Sequence, residues 1–216
     1  MGIPVLIYGK SGSGKSRSLK NFSEDEIFLV NVERKQLPFK KHFKYECKTD
    51  NIEKIKEKLS KMPVKTAIID DAGYLQTNNF MRNHSTPKYG ADAFKLYNDI
   101  ADSFWTLLQF IKNNLADDVI VYVMMHEEEN DYGNVKLRTI GKLLEQKVCI
   151  EGMVTIALRC MCEGKKHYFR TQSDGSDISK SPEDMFELEI ENDLKMVDTT
   201  IREYWDLKPN EEKENN

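Results

Sequence analysis

Cysteine is scarce: Cys47, Cys149, Cys160 and Cys162 are the only four in 216 residues. That is too few for the disulfide framework of a small secreted domain. Cys160 and Cys162 would share one face of a strand, and no second ligand pair accompanies them at a zinc spacing. Thiols packed in or near a core, in a reducing cytoplasm, are the expectation. No apolar run approaches the ~20 residues that cross a bilayer, and no secretory signal is expected ahead of the first strand. The Met1-Gly2 start is not a myristoylation motif, because Leu6 stands where that motif wants Ser or Thr. No membrane partner is expected. An excess of positive charge is missing too: 32 Lys and Arg against 36 Asp and Glu leave a net charge of -4. That balance excludes coating of duplex nucleic acid by bulk electrostatics, but not a local basic path. With no internal repeat and no long linker, residues 1–206 read as one domain. Residues 207–216 read as an acidic, disordered tail.

What is present begins at once. The apolar run Ile3 to Tyr8 leads into Gly9-Lys10-Ser11-Gly12-Ser13-Gly14-Lys15-Ser16, the pattern G-x-x-x-x-G-K-[ST]. Glycines let the backbone turn with positive φ, so that successive N–H groups line a nest for phosphate oxygens. The helix expected over Ser16 to Asn21 adds its positive end. Lys15 supplies a mobile cation for the β- and γ-phosphates, and Ser16 a hydroxyl for Mg²⁺.

Further along, Glu26 to Val32 reads as a strand ending on Glu33. Asp50 is the expected cap of a helix from Asn51 to about Lys61, with Ile52, Ile55 and Leu59 as its apolar stripe. Val64 to Asp71 reads as a buried strand ending in two carboxylates, at an end that adjoins the phosphate loop. Asp70 is assigned to the metal. Asp71 is open to two readings, a functional carboxylate or the cap of the next turn. Gly73 to Gly90 contains no acid at all. It reads as a loop in which Arg82, His84 and Lys88 alternate with Phe80, Met81 and Tyr89, open between a mixture suited to phosphates and stacked bases and a polar surface loop with its aromatics tucked into the body. Ala91 to about Leu115 is the longest expected helix, with Phe94, Tyr97, Ile100, Phe104, Leu107, Leu108 and Ile111 as its core stripe. Asp118 to Met125 reads as a strand ending at His126, where open α/β sheets bind ligands. His126 is open between a γ-phosphate sensor and a structural histidine. A second loop, Asn130 to Arg138, mixes the acids Glu128, Glu129 and Asp131 with Lys136 and Arg138. Gly141 to Cys149 reads as a short helix, Met153 to Cys162 and Lys166 to Thr171 as a hairpin, and Glu191 to Tyr204 as the last helix.

This order of strand ends resembles the RecA-type ATPase core. More narrowly, Thr139 to Leu144, Val154 to Leu158, Tyr168 to Gln172 and Lys180 to Phe186 look like the phage-encoded single-domain RecA-core proteins of the Sak type. The resemblance implies an α/β fold, a mostly parallel sheet flanked by helices with a C-terminal antiparallel hairpin. It implies a Mg²⁺-dependent ATPase that anneals or pairs single-stranded DNA in phage recombination, beside a single-strand-binding protein and in the host cytoplasm. In that family the second strand ends in the glutamate that activates water, a place matched here by Glu33, and the sensor place is matched by His126. Its DNA-contacting loops correspond to Tyr74 to Tyr89 and Glu127 to Arg138. Its active sites lie between subunits of an oligomer, so a neighbour's cation is expected at the γ-phosphate; Lys180 is the first candidate, ahead of Arg138 and Arg170.

Three other readings share the phosphate loop. Lys10 occupies the position of the signature lysine of the ParA and MinD partitioning ATPases, although Ser11 and Glu33-Arg34-Lys35 depart from their pattern. A small-molecule kinase would need an arginine-dense lid. A loader or regulatory module would bind ATP and a protein partner without processing DNA.

Overall fold

The computed structural model describes residues 1–86, 93–141, 143–144 and 147–209. The apolar runs form strands β1 (Ile3–Gly9), β2 (Phe28–Asn31), β3 (Tyr45–Cys47), β4 (Thr66–Asp70) and β5 (Ile120–Glu129). They are followed by β6 (Val135–Leu137), β7 (Ile156–Glu163), β8 (Lys166–Arg170) and β9 (Glu189–Glu191). The order across the sheet is β3-β2-β4-β5-β1-β7-β8-β9, with β6 paired to β5. From β3 to β7 every pairing along that path is parallel. β8 and β9 then add antiparallel, the tight β7–β8 turn using Gly164 at φ +60°. The expected mostly parallel sheet with a C-terminal antiparallel hairpin is the fold observed.

The central strands are buried on both faces, so they read as continuous apolar runs. Alternation sends Leu6 and Tyr8 to one face and Val5 and Ile7 to the other. The first face is covered by α1 (Ile52–Ser60), α2 (Gly73–Asn83) and α3 (Ala93–Asn114), with Phe104, Leu107, Leu108 and Ile111 packed on the strands. The second lies under a 3-10 turn at Ser16–Asn21 and α4 (Leu194–Tyr204), which contribute Leu19, Val197 and Ile201.

Several expectations need correction. The acid-free stretch from Gly73 is not a loop but helix α2 as far as Asn83. Its asparagines suggested a turn, yet they find partners in the folded chain: Asn78 Nδ2 donates to Glu33 and Asp50, and Asn83 Nδ2 to the Asn79 carbonyl. No proline or β-branched run interrupts it, and burial of Leu75 and Gln76 holds it to the body. The Glu127 to Arg138 loop is a β-hairpin, because β5 continues past His126 to Glu129 and pairs with β6, Glu128 opposite Lys136. The cap of α1 is Asn51, whose side chain accepts from Lys54 N at 3.0 Å, and not Asp50. Phe94 leaves the core stripe of α3, 82% exposed, while Leu96 enters it. The segment after Ser16 is a 3-10 turn, and the last helix starts only after β9, where Asp193 accepts from Lys195 N and Met196 N. Neither β3 nor β9 was foreseen; three residues carry too little pattern. β5 lies between β4 and β1 in the sheet, and the end of β4 adjoins the phosphate loop, as expected, through the Ser16–Asp70 bond. Lys88, Tyr89, part of the helix expected over 141–149 and residues 210–216 of the tail lie outside the described residues.

Candidate nucleotide site

β1 ends at Gly9, and the loop beyond it turns through Gly12 and Gly14 at φ +77° and +111°. Side chains rarely adopt that region. The loop is also pressed against the C-terminal strands: a Cβ on Gly14 would meet His167 Nδ1 at 2.7 Å, and one on Gly9 the Cys160 carbonyl oxygen at 2.4 Å. His167 Nδ1 lies 2.7 Å from the Ser13 carbonyl oxygen, and Cys160 Sγ donates to that oxygen at 3.2 Å. Asn192 Nδ2 donates to Cys160 Sγ, and Arg17 Nη1 to Asn192 Oδ1. Burial pushes the Cys160 thiol up to about 11, so it serves as packing and not as a nucleophile. This brace of Arg17, Cys160, His167 and Asn192 escaped the sequence reading. The one available signal was the hairpin, which sets Cys162 opposite His167 beside the loop.

Lys15 is buried, and its Nζ donates to the carbonyls of Gly9 at 2.9 Å and Lys10 at 3.0 Å. Burial lowers its pKa against the upward pull of neighbouring acids that include Asp71 and Asp70. Ser16 Oγ donates to the Asp70 carboxylate, 3.0 and 2.9 Å from its two oxygens. Burial first and then the adjacent Asp71 raise the Asp70 carboxyl to about 6. This is a charge in want of a cation. A hydroxyl and a carboxylate, both hard oxygen donors, suit Mg²⁺, whose remaining positions are commonly filled by water and phosphate; the residues fit that ion.

β5 brings His126 into register with Gly9. Burial, then Lys15, lower the pKa of His126, which is therefore neutral at pH 7. The Tyr74 ring meets it edge-on at 5.8 Å. Asp71 follows β4 at φ +58°, and its Oδ2 lies 2.5 Å from Lys35 Nζ, which also sits 5.3 Å from the centre of the Tyr74 ring. Burial draws the Lys35 ammonium down, but the bonded Asp71 more than offsets this and holds its pKa above the usual value. Arg34, just before it, is at φ +57°. Strained backbone at two residues of one small cluster is common where function constrains the chain.

Ser11, Gly12, Gly14, Lys15 and Ser16 form one wall of a pocket of about 370 Å³. Asp70, Asp71, His126, Lys35, Gln36, Pro38 and His167 line it as well. Lys15, Ser16, Asp70 and His126 therefore converge as the sequence implied. Glu33 does not join them: its Oε1 accepts from Asn78 at 2.8 Å, away from the pocket lining. Lys180 pairs through its backbone with Ala157 and is likewise no part of the lining. Lys10 Nζ is bonded to Glu129 Oε2 at 2.9 Å. Among the residues expected to touch DNA, Arg82 is paired with Asp50 at 2.7 Å and Lys136 with Glu128 at 3.0 Å. Phe80 is stacked between His84 and Tyr97, and exposed Arg138 donates its backbone N–H to the His126 carbonyl.

The sequence matches the AAA domain family over residues 1–186. This chain belongs to that family. The match takes in the phosphate loop, both carboxylates of β4, His126 and the bracing hairpin, so the AAA domain here is a P-loop nucleotide-binding unit, and α4 lies beyond it. No curated protein matches the sequence. Among the described residues of this AAA domain and its extension, no helix is long and apolar enough to cross a membrane.

Proposed function

We propose that the protein is a Mg²⁺-dependent ATPase that acts on single-stranded DNA, in annealing or pairing during phage recombination. The observation that carries the ATPase reading is the meeting of Lys15, the Ser16–Asp70 pair, Asp71 and His126 in one pocket. Lys15 and the loop amides stabilise charge on the phosphoryl oxygens, and Ser16 with Asp70 would hold the metal. Mg²⁺, when bound, neutralises charge shared by the β- and γ-phosphates. Asp71, the second carboxylate facing this space, orients the attacking water and takes its proton; Glu33, tied to Asn78, is displaced from that role. Lys35 must release Asp71 for this, and the triphosphate offers it a competing anion. Neutral His126 hydrogen-bonds the terminal phosphate.

The DNA part of the reading is supported by the resemblance and by basic surface near the pocket. An oligomer with a neighbour's Lys180 at the γ-phosphate, and a single-strand-binding protein as partner, belong to the same proposal. The pairing of Lys10 with Glu129 of its own chain favours this reading over a partitioning ATPase, in which that lysine would reach a second subunit. The test is the rate of ATP hydrolysis with and without an oligothymidine strand, with size measured in an ATP analogue. Stimulation and salt-dependent binding are expected. A nucleotide-binding protein showing neither would be a loader or regulatory module instead.

A further inference from the structure

Between Arg34 and Lys48 the chain carries six lysines and arginines, Arg34, Lys35, Lys40, Lys41, Lys44 and Lys48, against the single carboxylate Glu46. In a chain of net charge -4 this is a marked local inversion. We infer that this strap, running from the nucleotide pocket to the edge strand β3, is a binding surface for single-stranded DNA and links that DNA to the ATPase site. The inference rests on the single-stranded DNA reading proposed above, and it places the DNA on neither of the segments, 74–89 and 127–138, that the sequence suggested.

The strap is held in shape. Phe43 is buried, and Leu37 and Phe39 pack partly against the core that contains Leu19, Phe22 and Ile27. Lys41 Nζ donates to the carbonyls of Lys20 and Phe22, and Lys44 N to the Glu24 carbonyl. With Lys41 spent as an anchor and Lys48 paired with Glu46 at 3.5 Å, the exposed Lys40, His42 and Lys44 are left to face a ligand. A concavity of about 650 Å³ lies between Lys40, Lys41, His42, Phe39 and Pro38, with Glu24 its one acid. Lys44 Nζ lies over the half-buried Tyr45 ring at the sheet edge, 5.2 Å from its centre, so a base that stacks there must displace the ammonium towards its own phosphate. Among the described residues β3 is paired only to β2. Cations that follow a backbone and rings that accept a base are what a single strand requires.

The link to the nucleotide is direct. Gln36 and Pro38 line both this concavity and the nucleotide pocket, and Lys35, one residue earlier, holds Asp71. Phosphates drawn to Lys40 and Lys44 pull on the same short segment that positions Lys35.

The experiment measures anisotropy of a labelled thirty-nucleotide oligothymidine on the full chain across a salt series, for the parent, Lys40→Glu/Lys44→Glu and the milder Lys40→Gln/Lys44→Gln. Basal ATPase and thermal unfolding monitor the nucleotide site and the fold. Both variants are expected to keep basal turnover and to bind at least about tenfold more weakly. The glutamine pair should lower the salt slope by about 1.4, at ~0.7 for each phosphate that is no longer neutralised. DNA stimulation of turnover should fall in parallel. If the parent binds and both variants bind equally well, the strap is not the surface, and the single-stranded DNA reading survives elsewhere on the molecule. If the parent itself shows no salt-dependent binding, that reading and this inference both fall.

Discussion

Asp70 titrates far from where an exposed aspartate would. Its carboxyl, at about 6 in the folded chain against an ordinary 3.8, binds its proton more tightly folded than unfolded. Stability of the ligand-free protein in EDTA therefore falls as pH rises from 3.8 towards 6 and stays lower above that. At about 1.4 kcal/mol per pH unit the loss approaches about 3 kcal/mol. Asp70→Asn, which keeps an acceptor for Ser16 but carries no charge, should recover much of it at pH 7.5, read by urea unfolding, while abolishing Mg²⁺-dependent hydrolysis. An unchanged midpoint would mean that the buried charge is better solvated than the geometry implies. At Asp71 the prediction is kinetic: Asp71→Asn should bind ATP near normally and lose about 10²–10⁴ in kcat. Glu33→Gln should keep most of its turnover. The reverse pattern would return the water to Glu33. Lys15, Ser16 and Asp70 were legible because their spacing encodes their chemistry. Lys35 was not, since one lysine in a basic run looks like its neighbours until a carboxylate stands beside it.

The phosphate loop depends on elements far from it in sequence. Gly14→Ala would meet His167 Nδ1 at 2.7 Å at a backbone angle of φ +111°, and should abolish nucleotide binding in a calorimetric titration. His167→Ala is milder. It removes the hydrogen bond to the Ser13 carbonyl, worth about 0.5–1.5 kcal/mol, and should weaken ATP binding several-fold without lowering saturated turnover comparably. If His167→Ala left ATP affinity untouched, the hairpin would be only a neighbour of the loop. α2 shows the opposite failure of legibility. A stretch of glycine, asparagine and threonine has the composition of a loop, and the bonds of Glu33 and Asp50 to Asn78 and of Ile140 to Gln76, with the burial of Leu75, support it as a helix. The 127–138 segment misled for a related reason, as a strand was read as ending at its last apolar residue, Met125, when pairing with β6 carried it four residues further, to Glu129.

Across the whole molecule the two ends of the sheet are built differently. The carboxyl ends of β1, β4 and β5 carry the nucleotide pocket. At the opposite end Arg202 of α4 donates from Nε to Asp198 at 2.8 Å and from Nη2 to Thr66 at 2.9 Å, while Tyr122 OH donates to Asp198. Burial raises the Asp198 pKa against the pull of Arg202. Arg202→Met strands that buried carboxyl and should cost about 3–5 kcal/mol in denaturant unfolding, with the KM for ATP unchanged in the protein that remains folded. A shift in KM would show that the two ends of the sheet are coupled. By itself the sequence determined the phosphate loop, Ser16 and Asp70 beside it and the succession of buried strands, because those depend on residue type at short spacing and on apolar runs. Tertiary structure alone decided that β5 lies between β1 and β4, that Glu33 turns away while Asp71 faces the pocket, and that Lys35 and His167 join it. Those outcomes depend on strand order and on side-chain pairing between segments apart in sequence, from Glu33 with Asn78 to Ser13 with His167, which no local pattern records.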